Sequence, residues 1–326
     1  MRNFLYRDNR EGVNMKKIIF ILFTFLVLAI IAYHAFPEKV AGLMLDLAAG
    51  NSGLTKKQIQ IDDHTIVYFE GGNGPSILLL HGYAADKSSW LLLAYYLNKK
   101  YHLLIPDIPG YGESSQLTYV SYNLNSQMER LHKFVQAVNI RPFHIAGSSM
   151  GGFFAGTYAA RYPDEILSLG LFNAGGVMPS KFSDVFRMME KGENPLLLKD
   201  ENDFDRLMGL IFYKMPLVPY PIKYSYISKA LANRSFNEKT LKDITPDFFS
   251  LEQALPNIKA PTLILWSEKD RVLDISSVPL FEKGIRNHKT MIFKDCGHAP
   301  MIEKPKETTA AYSAFIQEIT LKNSKP

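Results

Sequence analysis

One cysteine, Cys296, stands in a chain of 326 residues. No intramolecular disulfide can form, and cysteine usage is silent on the redox compartment. No cysteine or histidine pair falls at zinc-ligand spacing and no glycine-rich phosphate loop occurs, so chemistry without metal or cofactor is expected. Internal repeats and low-complexity tracts are missing. Lysine and arginine exceed aspartate and glutamate by only 37 to 32, and they are scattered. The densest basic group (Arg2, Arg7, Arg10, Lys16, Lys17) borders an apolar run, where membrane topology accounts for it better than a nucleic-acid partner. Apolar residues are plentiful at 47%, enough for one large core with extensions.

Residues Ile18 to Phe36 carry no formal charge apart from a titratable His34. At about 1.5 Å per residue they span about 28 Å, close to a hydrocarbon core of about 30 Å. Lys16 and Lys17 precede the run, so the positive-inside rule keeps residues 1–17 cytoplasmic and exports the remainder as a single-pass protein. The rival is a cleaved signal peptide and a secreted product, with Met15 rather than Met1 as the start. No Ala-x-Ala follows at the usual distance, which favours a retained anchor over residues 18–36. In the linker over 37–57, Val40, Leu43, Met44 and Leu47 recur at helical spacing. They fit either a helix lying on the bilayer or one packed on the domain.

From Gln58 onward, strand and helix patterns alternate. A hairpin is expected across Asp62-Asp63-His64. Continuous apolar strands are expected at Ser76–Leu80, Tyr101–Pro106, Pro142–Ala146, Ile166–Phe172, Thr262–Trp266 and Lys289–Phe293, with helices between them and a closing helix at Lys304–Thr320. Such a pattern describes an α/β core, a mostly parallel sheet covered on both faces, over 58–175 and 256–320. The alternation breaks over 176–255, an apolar, proline-punctuated stretch that reads as a helical cap inserted after the sixth core strand.

Gly147-Ser148-Ser149-Met150-Gly151 places a serine at the centre of Gly-x-Ser-x-Gly, between an apolar strand and a small-residue helix. In that context the motif is a nucleophile elbow. A serine hydroxyl needs a histidine to take its proton, and the histidine needs a carboxylate to hold its tautomer. Asp270 follows one late strand and His298 the next, both at carboxyl ends, where open α/β sheets carry their chemistry. Asp274 competes for the acid's place, with Asp270 preferred; Glu268 is too near its strand. Cys296 has no elbow and no base, and reads as packing. Two backbone N–H groups must meet the developing oxyanion. Met150 follows the nucleophile, and Tyr83 lies in the turn after the Ser76–Leu80 strand; these are the expected donors.

Over about 60–320 the chain resembles the α/β-hydrolase-fold serine esterases. The likeness rests on His81-Gly82-Tyr83, Asp107-Ile108-Pro109-Gly110-Tyr111-Gly112-Glu113-Ser114, the elbow, Asp270 and Gly297-His298. Within that superfamily, Gly-x-Ser-Met-Gly-Gly, the apolar N-terminal segment and Val272-Leu273-Asp274 resemble membrane-anchored monoacylglycerol lipases and related bacterial lipases. The resemblance implies an eight-stranded sheet, a triad of Ser149, Asp270 and His298, and acyl-glycerol or other carboxylic-ester substrates. It treats Asp107–Ser114 as a structural turn. Alternatives on the same residues are hydrolysis of non-lipid esters, amides or carbon–carbon bonds, acyl transfer, and a catalytically silent membrane scaffold.

Overall fold

The computed structural model describes residues 15–323, so Arg2, Arg7, Arg10 and most of the expected cytoplasmic tail lie outside the described residues. Helix α1 (Met15–Ala35) is 21 residues long, exposed along its length and apolar enough to cross a membrane. It ends one residue earlier than the sequence pattern implies, because Phe36 precedes Pro37 and residues before proline leave the helical region. Pro37 then opens α2 (Pro37–Asn51) at its first turn, where its missing N–H costs nothing.

The core contains eight strands: β1 (Leu54–Ile61), β2 (His64–Gly71), β3 (Ser76–Leu80), β4 (His102–Pro106), β5 (Phe143–Ser149), β6 (Ile166–Ala174), β7 (Thr262–Ser267) and β8 (His288–Phe293). They form one sheet in the order β1-β2-β4-β3-β5-β6-β7-β8. The β1–β2 and β2–β4 pairs are antiparallel and all others are parallel. Strand β1 starts four residues before the expected hairpin. Its first residues after Leu54 are exposed and include Lys56 and Lys57, so the edge strand carries no apolar alternation to betray it.

Alternate residues of the central strands feed two separate cores, as a period of two requires. Leu78, Leu80, Leu104, Ile145, Leu169, Leu171 and Ile264 face one side, against α4 (Leu124–Val138) and α5 (Met150–Arg161). Ile77, Leu79, Leu103, Ile105, Phe172, Leu263 and Leu265 face the other, against α3 (Leu91–Leu97) and α13 (Pro305–Asn323). Helix α11 (Val278–Gly284) links β7 to β8, and α12 (Pro300–Glu303) follows β8.

Between β6 and β7 lies a helical insert: α6 (Asp184–Glu190), α7 (Asn202–Ile211), α8 (Tyr220–Ala232), α9 (Arg234–Ile244) and α10 (Leu251–Ala254). It has a small core of its own, in which Leu198, Phe204, Leu207, Met208 and Ile227 pack together. Helix α2 lies against α8 and buries Pro37, Ala41 and Ala49. Ala49, at its end, joins the core cluster that includes Leu54, Phe69 and Leu91, while Leu43 and Leu47 point outward. Of the two sequence alternatives for this helix, the structure shows the packing on the domain.

Candidate active site

Strand β5 runs into α5 with no residue between them, and Ser149 makes the turn with φ 57° and ψ −121°. That backbone is one an L-residue seldom adopts and is the geometry of a nucleophile elbow. Neighbouring glycines make it feasible. A Cβ on Gly147 would overlap the Gly151 carbonyl, and one on Gly151 would overlap the Leu80 carbonyl. Ser149 is half-buried, and its carbonyl accepts the Gly175 N–H at 3.0 Å.

Asp270 sits in the turn after β7 with its side chain fully buried. Its Oδ1 accepts the N–H groups of Val272 (2.8 Å) and Leu273 (2.9 Å). Its Oδ2 faces His298 Nδ1 at 2.8 Å and accepts the Asn173 amide N–H at 2.6 Å. Four donors thus fix the carboxylate's orientation, and a proton on Nδ1 leaves His298 Nε2 bare. Asp274 does something else: its side chain caps a short turn by accepting the Ser276 N–H at 2.9 Å. Asn173, fully buried at the end of β6 with φ 46°, has no place in any sequence motif. Its only signal is an amide at the end of a mostly apolar strand, just before Gly175-Gly176.

His298 follows β8, and its N–H donates to the Ile211 carbonyl at 2.6 Å. Glu303 ties the same loop to the insert. Its Oε2 accepts the N–H groups of Gly297 (2.9 Å) and Tyr213 (3.2 Å), and its Oε1 that of Lys214 (2.9 Å). Sequence reasoning missed Glu303, which looks like any acidic residue on a short helix. The structure thus brings Asp270 and His298 together, but no hydrogen bond joins Ser149 to His298. Serine–histidine bonds of this kind are often long until substrate is present. Cys296 is buried two residues away, and burial pushes its thiol up to about 11, far from the reactive thiolate form.

The turn after β3 lies directly beside the serine. A Cβ on Gly82 would stand 3.3 Å from Ser149 Cβ and 3.8 Å from its Oγ. His81, buried in this turn, accepts the Ile108 N–H at Nε2 (2.9 Å), so its proton is on Nδ1, which donates to the Gly82 carbonyl at 2.8 Å. Burial holds the His81 ring below its ordinary pKa, in keeping with a neutral imidazole. In a planar trans peptide, a Gly82 carbonyl held towards His81 turns the Tyr83 N–H the opposite way. The Met150 N–H opens α5 and so has no acceptor within its own helix. Asp107 supports the region from behind: its carboxylate holds Lys87 Nζ at 2.7 Å and accepts the N–H groups of Lys87 and Glu113. Tyr83 reaches the insert, donating its hydroxyl to the Asn237 carbonyl of α9 at 2.7 Å, and Tyr111 reaches Thr240 on the same helix at 3.1 Å. Among the described residues, no cluster of three histidine, cysteine, aspartate or glutamate side chains could hold a metal ion.

Residues 75–212 and 224–305 match the family model described as the alpha/beta hydrolase fold. The chain is 32% identical to bovine (Bos taurus) monoacylglycerol lipase ABHD6 over 290 residues, covering 84% of this chain and 86% of that protein. It is 34% identical to Lipase 1 of Psychrobacter immobilis over 255 residues, covering 77% and 80% respectively. A crystal structure described as a membrane phospholipase A and bacterial virulence factor superposes with a TM-score of 0.86 at 38% identity. That match covers 94% of this chain and 99% of the other.

Proposed function

Since the chain belongs to the α/β-hydrolase family, we propose that it is a membrane-anchored lipase cleaving carboxylic esters of lipidic substrates through an acyl-enzyme on Ser149. The observation that carries the reading is the 2.8 Å contact of Asp270 Oδ2 with His298 Nδ1, on loops at the same sheet end as the elbow serine. Relatives named as a monoacylglycerol lipase, a bacterial lipase and a membrane phospholipase A support an ester of a lipid as substrate.

In this mechanism His298 Nε2 takes the Ser149 proton as Oγ attacks the ester carbonyl. Asp270 keeps the other imidazole nitrogen protonated and offsets the positive charge that develops on the ring. The tetrahedral oxyanion receives the Tyr83 and Met150 N–H groups, donors fixed in advance by the His81 hydrogen bonds and the start of α5. His298 then returns the proton to the departing alcohol, and water repeats the sequence on the acyl-enzyme. Helix α1 serves as the anchor with the catalytic domain on the exported side, and residues 176–255 act as a cap whose apolar interior receives the acyl chain.

Ser149→Ala, assayed on a medium-chain monoglyceride, is expected to lose about four orders of magnitude or more in kcat while the fold survives. Labelling of the unaltered chain by a fluorophosphonate should disappear in the same variant. Retained hydrolysis or labelling would remove Ser149 from the mechanism.

A further inference from the structure

The segment between α7 and α8, residues 212–219, combines three features. Three of its apolar side chains are exposed: Tyr213 and Met215 at 46%, and Leu217 at 97%, almost as open as in an unfolded chain. Its far end meets the end of α1. The Tyr220 N–H donates to the Tyr33 hydroxyl at 3.1 Å, and the rings of Tyr33 and His34 lie 6.0 and 5.3 Å from that of Tyr220. Its near end is bonded to the base loop, through the His298 N–H on Ile211 and through Glu303 on Tyr213 and Lys214.

Tyrosine at the end of an apolar helix marks the headgroup level of a bilayer. Three residues of extended chain reach at most about 10 Å, so Leu217 cannot lie much farther than that from Tyr220 and the level it shares with Tyr33. The interfacial layer is itself several ångströms deep. An aqueous surface has no use for a leucine held out between Pro216 and Val218-Pro219, whereas the headgroup and acyl boundary takes such side chains readily. Lys214, exposed at the root of the segment, suits the phosphate level.

We propose that residues 212–219 form a lip seated in the bilayer beside the span, with Met215 and Leu217 among the lipids and the root of the lip fastened to the His298 loop. The rim of the site then lies at the source of its substrate. This inference rests on the reading of α1 as a membrane span given above.

The test uses the full chain in phosphatidylcholine vesicles. Its two tryptophans, Trp90 and Trp266, are fully buried, so a third one reports its own surroundings. In Leu217→Trp the new emission should shift to the blue and be quenched by bromines on the upper acyl carbons. Tyr119→Trp, exposed on the β4–α4 connection, should not be quenched. Leu217→Asp should raise KM for a vesicle-borne monoglyceride roughly tenfold, the order expected for losing one leucine's burial, and leave kcat/KM on a water-soluble short-chain ester unchanged. Absence of quenching in Leu217→Trp would overturn the lip. So would shielding of its new indole in detergent that grows with protein concentration, the sign of a second copy covering it. Flotation of the chain with the vesicles reports the span separately, and hydrolysis of the soluble ester reports the triad separately.

Discussion

Around Ser149 the backbone is the device. Carbonyls pack where side chains would stand, glycines have no room for a Cβ, and the backbone N–H groups of Val272 and Leu273 hold Asp270 Oδ1. Across residues 176–255 the side chains do the holding, through a small apolar cluster around Phe204 and single hydrogen bonds such as Tyr83 to Asn237. Backbone devices have one solution and tolerate almost no change. Apolar packing has many, so a helical insert can vary its lining without disturbing the chemistry below it. The contrast also accounts for where specificity would reside: in the region whose construction permits substitution.

The sharpest way to break this division is Asp270→Asn, which keeps the packing but gives the turn an amide. It is expected to lower kcat by about four orders of magnitude with little change in KM, because His298 loses the partner that sets its tautomer. Only a small loss, seen in steady-state kinetics on a short-chain ester, would show that the turn is not acting through the imidazole.

Glu303→Ala addresses the seam between the regions. Freeing three N–H groups lets the base loop drift, and a displacement of about 1 Å costs on the order of a hundredfold in kcat. Glu303→Gln, which still offers an acceptor oxygen, should recover much of that activity. Equal losses in both variants would mean that the carboxylate's charge matters more than its hydrogen bonds.

On the insert side, Phe204→Ala removes a ring that is 2% exposed and should cost about 3 kcal/mol or more. Limited proteolysis is then expected to cut within 176–255 while fluorophosphonate still labels Ser149. Loss of labelling in step with cleavage would show that the two regions unfold as one.

The smallest effect concerns the sheet itself. His144 on β5 is buried against Ser168 Oγ at 2.7 Å, and burial lowers its pKa to about 4. Once unfolded, the same imidazole takes up a proton near pH 6.5. Its contribution to stability is therefore full above about pH 6.5 and is lost as the pH falls towards 4. Melting temperature should decline over that window, and His144→Asn should flatten the decline. An unchanged slope in the variant would assign the pH dependence elsewhere, with the buried His81 as the next group to test.

The core was legible in the sequence because continuous apolar strands, an elbow pentapeptide and residues at strand ends are local signals. Strand β3 was expected at its observed bounds and β7 to within one residue. Other features were illegible for physical reasons. Strand β1 hides behind edge lysines, and α2 buries Ala41 and Ala49 while leaving Leu43 and Leu47 exposed, against the usual reading of an apolar stripe. Asn173 holds a carboxylate 97 positions away, and Glu303 reaches back 90 positions to Tyr213. Their roles exist only once the chain has folded and brought those partners near.

The left-handed turn at Ser149 has an evolutionary corollary. Glycine is the one residue at ease with φ 57°, so the change that would most relax the fold there is also the change that deletes the hydroxyl. Selection for robustness alone would drift towards an inert descendant. On the proposed mechanism, it is the hydroxyl's reactivity that keeps a serine in so strained a place.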